Sequence, residues 1–202
     1  MVQSECQLLR GLLGFICLIP MCMSTSSELC VSVKTLKDSL NSSLRRRFMK
    51  MNFPINYTIE VHYGEVFRLR NISKLKSEEI QPEARDLQEL WLSASLKGIS
   101  KVLRVLPERH PTRLKYLSNL EILFKNFEAL YNQHHPKEER DLPDSIQEIW
   151  DNMEDQGWKS VTPKSILDNC YRTMLCLFKD CFTEESGVDY CVPNWRKEKK
   201  TT

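Results

Sequence analysis

The side chains of this chain with the most latent chemistry are thiols. Cys6, Cys17 and Cys22 lie near the start, Cys30 stands alone, and Cys170, Cys176, Cys181 and Cys191 crowd toward the C-terminus. Three acceptor sequences for N-linked glycans also stand out, at Asn41-Ser-Ser, Asn56-Tyr-Thr and Asn71-Ile-Ser. Arg45-Arg46-Arg47 is either a heparin-like or receptor contact, or a solvated helix face. His134-His135 lies near acidic residues, but adjacent histidines without Cys or Asp at ligand spacing read as solvated. Catalytic spacings are missing. The sequence has no Gly-rich phosphate loop, no Gly-x-Ser-x-Gly elbow and no His-Glu-x-x-His. The pairs Glu78-Glu79 and Glu138-Glu139 sit among polar residues, where nothing would bury them and shift their pKa values. We therefore expect no enzyme, no cofactor and no metal.

What the thiols do depends on where the chain goes. Arg10 supplies a positive charge ahead of Gly11 to Met23, an apolar run of 13 residues. That is short of the roughly 20 needed to span a bilayer. Pro20 and then Ser24, Thr25 and Ser26 suit a helix break and a small-residue cleavage site, so residues 1–24 read as a signal peptide. The expected location is extracellular. Cys6, Cys17 and Cys22 would leave with the leader, and the five remaining cysteines are bridge-formers before they are anything else. Five is odd, so one thiol is left over or pairs between chains. No second apolar run follows, which argues against membrane insertion, and a net charge of +2 makes no case for nucleic acid.

Helices must position these groups. Leu36, Leu40, Leu44 and Phe48 repeat every four residues, which predicts a first helix from near Val31 to just before Pro54. Tyr57 to Tyr63 alternates, Gly64-Glu65 can turn, and Val66 to Arg70 follows, which predicts a β-hairpin lying against the helices. The second helix is predicted over 82–106 and carries two apolar stripes. One holds Leu87, Leu90, Trp91, Ala94, Val102 and Val105; the other holds Leu92, Leu96, Ile99, Leu103 and Leu106. Such a helix is either central in its own bundle or covered on one side by a partner chain. A third helix over 112–131 carries Leu117, Leu120, Phe124, Phe127 and Tyr131. A short one is marked by Ile146, Ile149, Trp150 and Met153. The last helix opens on Thr162 as cap with Pro163 in its first turn, and runs through Ile166, Cys170, Met174 and Cys181. The long first and third connections predict an all-α, short-chain four-helix-bundle cytokine fold, up-up-down-down, with the small hairpin in the first crossover. The bundle domain would span 25–193, followed by a basic disordered tail at 194–202.

Several blocks of sequence point further. Phe53-Pro-Ile-Asn-Tyr57, Gly64-Glu-Val-Phe-Arg68, Asn71-Ile-Ser-Lys-Leu75, His110-Pro111 with Lys115-Tyr-Leu117, and Leu167-Asp-Asn-Cys170 with Arg172 stand in order and in register. Together they resemble the interleukin-34 family over roughly residues 28 to 193. The resemblance implies a non-covalent homodimer that engages the macrophage colony-stimulating factor receptor, bringing two receptors together to support monocyte and macrophage survival, proliferation and differentiation. It also implies Asn71 as the first choice for a glycan, ahead of Asn41 and Asn56. The chain departs from the mammalian pattern in its C-terminal cysteine spacing, in lacking a long proline-rich tail, and in Thr112-Arg113-Leu114 where a tryptophan would be expected.

In an up-up-down-down bundle the first and last helices are antiparallel. Cys30 then meets Cys181 more readily than Cys170, which lies about 16 Å further back along the axis. Cys191 can fold back to Cys176, leaving Cys170 as a buried apolar thiol. For the receptor surface we expect Lys101, Arg104, Glu108, Arg113 and Lys115, and for the dimer interface Phe53, Pro54, Ile55 and Tyr57. The competing reading is a secreted helical carrier of an apolar ligand. Its pocket would be lined by the second stripe of the second helix and the aromatics of the third.

Overall fold

The computed structural model describes residues 24–62, 66–110, 113–136, 141–155, 158–185 and 189–192. The predicted leader except Ser24, the predicted tail and the Gly64-Glu65 turn lie outside these residues. The elements run α1 (Ser24–Ser39), α2 (Ser42–Asn52), β1 (Ile59–His62), α3 (Leu69–Leu75), α4 (Ala84–Val105), α5 (Ser118–His134), α6 (Asp144–Asp155), β2 (Trp158–Val161) and α7 (Pro163–Leu177). A π-helical turn, Arg113–Leu117, leads into α5, and a 3-10 segment, Lys179–Glu185, follows α7.

Cross-helix contacts give the directions. Residue 30 at the start of α1 meets residue 181 beyond the end of α7, while Arg45 in α2 meets Asp168 early in α7. Tyr116, ahead of α5, donates to the carbonyl of Ser39 at the end of α1, and His134 at the end of α5 approaches Glu28. Gln88 near the start of α4 bonds both Leu177 and Tyr131, at the ends of α7 and α5. So α1–α2 and α4 run one way, and α5 and α7 the other. That is an up-up-down-down bundle with two long crossovers.

The first predicted helix is in fact two. Asn41 interrupts it: Oδ1 accepts from the backbone N–H groups of Ser43 and Leu44 at 3.1 and 3.0 Å, and Nδ2 donates to Asp38 O at 2.7 Å. An asparagine at this position satisfies the orphan donors of a new helix start. The break also shifts the helical phase. Leu36, Leu40 and Phe48 are buried as expected, but Leu44 is 39% exposed and Arg45 takes the inward place.

The expected small antiparallel sheet is present, but its second strand is not Val66–Arg70. Strand β1 pairs with β2 from the other long crossover, in the register Ile59↔Val161 and Val61↔Lys159. Leu69 and Arg70 instead open α3, where Leu69, Ile72 and Leu75 turn inward at helical spacing. The sheet therefore ties the two crossovers together. With α6 it packs on α4. Of the second stripe, Leu92, Ile99, Leu103 and Leu106 are buried within the chain's own fold and Leu96 is half-buried; of the first, Leu87, Leu90, Trp91, Ala94 and Val102 are buried and Val105 is half-buried. Helix α4 is central, and no partner chain is needed to explain its two stripes.

Trp91 is the centre of the core. Its ring lies 5.6, 6.1 and 5.3 Å from those of Phe124, Phe127 and Phe178, and its Nε1 donates to Cys170 O at 3.2 Å. Burying a large apolar side chain of this kind contributes about 1.5–3 kcal/mol, and ring pairs add to it.

Bridges, an ion pair and two candidate interaction surfaces

Two disulfides close the bundle. Cys30 is bonded to Cys181, with Cα atoms 5.0 Å apart, and Cys176 to Cys191, with Cα atoms 4.6 Å apart. Cys170 is a buried free thiol, and burial pushes its pKa up to about 11, against a smaller opposing hydrogen bond with Ser95. A thiol held protonated this firmly is a poor nucleophile and behaves as a small apolar side chain.

Arg45 belongs by sequence to a run of three basic surface residues, but it is 2% exposed. Its Nε donates to Asp168 Oδ1 at 2.7 Å, and its guanidinium lies 4.5 Å from the centre of the Tyr171 ring. Lys164 donates to the other carboxylate oxygen. Burial acts to raise the pKa of Asp168, but Lys164 and Arg45 together outweigh it and hold the carboxyl below the usual range. Burial likewise pushes Tyr116 up to about 12, so its hydroxyl stays a donor to Ser39 O at 3.1 Å. Arg46 and Arg47 are exposed. The run thus has one structural member and two solvated ones.

Arg45 anchors the first turn of α2, and the chain leaves that helix about two turns later, at Phe53. Tyr116, Phe48, Phe53 and Tyr57 form a ladder of rings, with centroids 4.9, 5.7 and 5.3 Å apart, leading from the bundle to the surface. At its outer end Ile55 is 94% exposed, and Met51, Pro54 and Tyr57 are exposed beside it. Phe53, Pro54, Ile55 and Tyr57 border an open groove of about 410 Å³ with Met49 on its apolar side and Lys50 among its basic residues. The structure therefore brings all four predicted interface residues into one apolar patch. Asn56, in their midst, has φ 68°, a left-handed conformation that asparagine tolerates better than most residues.

A second, larger groove of about 650 Å³ is bordered by α4 and α5. Lys97, Lys101, Arg104 and Lys125 line it with Glu121 and Glu128. Of the five predicted receptor residues, Lys101 and Arg104 share this groove. Glu108 and Lys115 are exposed but do not line it, and the side chain of Arg113 lies outside the described residues. Sequence reasoning missed Lys97 and the α5 wall. The spacing of Lys97, Lys101 and Arg104 at i, i+4 and i+7 was the available signal for a basic helix face.

The remaining candidates are spread over the surface. Asn71 is half-buried in α3 beside a groove of about 210 Å³ floored by Leu75 and Ile149. His135 packs its ring 4.6 Å from Tyr131, and among the described residues no group of three His, Cys, Asp or Glu could hold a metal ion.

A disulfide-laced up-up-down-down bundle with its longest connections tied by a small sheet has the architecture of the helical cytokines. The chain belongs to the interleukin 34 family, whose model matches residues 23–186. This is a family of cytokines rather than of enzymes. Among the described residues, no helix is long and apolar enough to cross a membrane.

Proposed function

We propose that this protein is a secreted cytokine that binds and dimerises the macrophage colony-stimulating factor receptor, promoting monocyte and macrophage survival, proliferation and differentiation. Membership of the interleukin 34 family over residues 23–186 is the observation that carries this reading. Residues 1–24 act as the signal peptide and leave the bundle domain at 25–193 with a basic tail at 194–202. The cytokine works as a non-covalent homodimer joined through Phe53, Pro54, Ile55 and Tyr57. An exposed isoleucine among aromatic neighbours supports that assignment, because buried interface cores favour such residues. Lys101 and Arg104 lead the receptor contact, with Glu108, Arg113 and Lys115 beyond them, and Asn71 carries a glycan.

The competing reading is a secreted helical carrier of an apolar ligand. Four members of the second stripe of α4 (Leu92, Ile99, Leu103 and Leu106) and the aromatics Phe124, Phe127 and Tyr131 of α5 are packed into the core, which disfavours that reading, and Leu96 of the stripe borders a groove. The test is cellular. Mature protein added to cells bearing the receptor should raise receptor tyrosine phosphorylation, and the Ile55→Glu variant at the same concentration should not. Equal phosphorylation by both would contradict the dimer requirement, and none by either would contradict the cytokine assignment.

A further inference from the structure

Asn56-Tyr57-Thr58 places a glycan acceptor inside the apolar patch, between two of its members. Resting on the dimer assignment through that patch, we propose that an N-linked glycan on Asn56 and dimerisation through Phe53–Tyr57 exclude one another. Occupancy of this sequon then sets the fraction of dimer.

One observation and two general dimensions carry it. Asn56 is exposed and borders the same 410 Å³ groove as Phe53, Pro54, Ile55 and Tyr57. Its Cα is bonded through single peptide units to Ile55 and Tyr57, about 3.8 Å on either side. A stable interface buries about 800 Å² on each partner, equivalent to a disc of about 16 Å radius. Any such contact centred on Ile55 must therefore include Asn56. A branched, hydrated oligosaccharide at that position cannot be accommodated in a dry contact, and it would hold the second copy away.

The chemistry is the ordinary one for such acceptors. Nδ2 of Asn56 forms a bond to the anomeric carbon of an oligosaccharide, and that carbon's bond to a polyprenyl diphosphate breaks. The diphosphate leaves, and the amide gives up one proton and keeps the other. Sequon occupancy is decided on the chain as it is exported, so two populations would be made together, one able to dimerise and one not. The other two acceptors lie elsewhere. Asn41 caps α2, and Asn71 stands beside the separate groove on α3.

The test uses the full chain exported from a mammalian cell, separated by size under native conditions, with glycopeptide mass spectrometry on each peak. Asn56 should be occupied in the monomer peak and bare in the dimer peak. Thr58→Ala, which breaks the acceptor sequence and keeps Ile55 and Asn56, should move the protein into the dimer peak, and Thr58→Ser should restore monomer. Dimers carrying the Asn56 glycan, or Asn56 bare in both peaks, would overturn the exclusion alone. A monomeric Thr58→Ala protein would overturn the dimer patch itself, and the exclusion with it.

Discussion

Arg45 and Asp168 stand 123 residues apart in sequence and 2.7 Å apart in space, Nε to Oδ1. The pair joins the first turn of α2 to the first half of α7, about two helical turns before the chain leaves α2 for the Phe53–Tyr57 turn. Its two members are not equivalent. Arg45 is buried, whereas Asp168 is partly exposed and has Lys164 as a second partner. Removing the carboxylate would strand a buried cation, while removing the cation leaves a carboxylate still paired.

Asp168→Asn should therefore cost about 3 kcal/mol, near the usual figure for orphaning a buried charge, and Arg45→Met clearly less. Urea denaturation of both variants checks this. Equal losses would mean that the asymmetry has no energetic weight.

The same pair gives a pH signature. A carboxyl whose pKa is lowered in the folded state stabilises the fold fully above its ordinary pKa, about 4. That contribution fades as pH falls through the lower folded value. The stability gap between the wild type and Asp168→Asn should thus stay level down to about pH 5 and shrink below about pH 4. A gap that widened on acidification would contradict the assigned direction.

The disulfides should differ in weight. Cys30–Cys181 closes a loop of 151 residues and Cys176–Cys191 one of 15. In the chain-entropy picture the losses on removal are about 5 and about 3 kcal/mol respectively. Cys170 should resist alkylation in the native protein and react once unfolded, because its thiol is buried. Non-reducing peptide mapping would report the pairing directly, and a Cys30–Cys170 link would contradict it.

Much of this framework was legible in the sequence, and the parts that were not share a cause. Thr162 and Pro163 announced the start of α7, where Thr162 Oγ1 accepts from Ser165 N at 3.1 Å, because caps are local devices. The choice of Cys181 over Cys170 followed from helix direction and rise alone. The burial of Arg45 did not show, since its partner lies far away in sequence and the phase shift at Asn41 that turns it inward is a single-residue event. The partner of β1 was equally hidden. Trp158–Val161 is four residues long, too short for alternation to declare a strand, and pairing across two crossovers leaves no local trace. Of the receptor candidates, Lys101 and Arg104 stand three residues apart, a spacing that places them on one helix face. The rest were separated by turns whose geometry no spacing rule supplies.

The two surfaces should be separable. Lys101→Glu with Arg104→Glu should weaken receptor affinity at least tenfold and leave the dimer intact, since the groove on α4 and the Phe53–Tyr57 groove share no lining residue. Ile55→Glu should give monomers by light scattering. An intact dimer after Ile55→Glu would move the interface elsewhere, and unchanged affinity after the charge reversals would move the receptor contact.

The most direct test of the cytokine assignment is the stoichiometry of the mature protein with the purified ectodomain of the macrophage colony-stimulating factor receptor, measured by multi-angle light scattering and surface binding. The expected complex holds one cytokine dimer and two ectodomains. No binding at micromolar concentration would contradict the assignment and leave the bundle, its bridges and its ion pair standing.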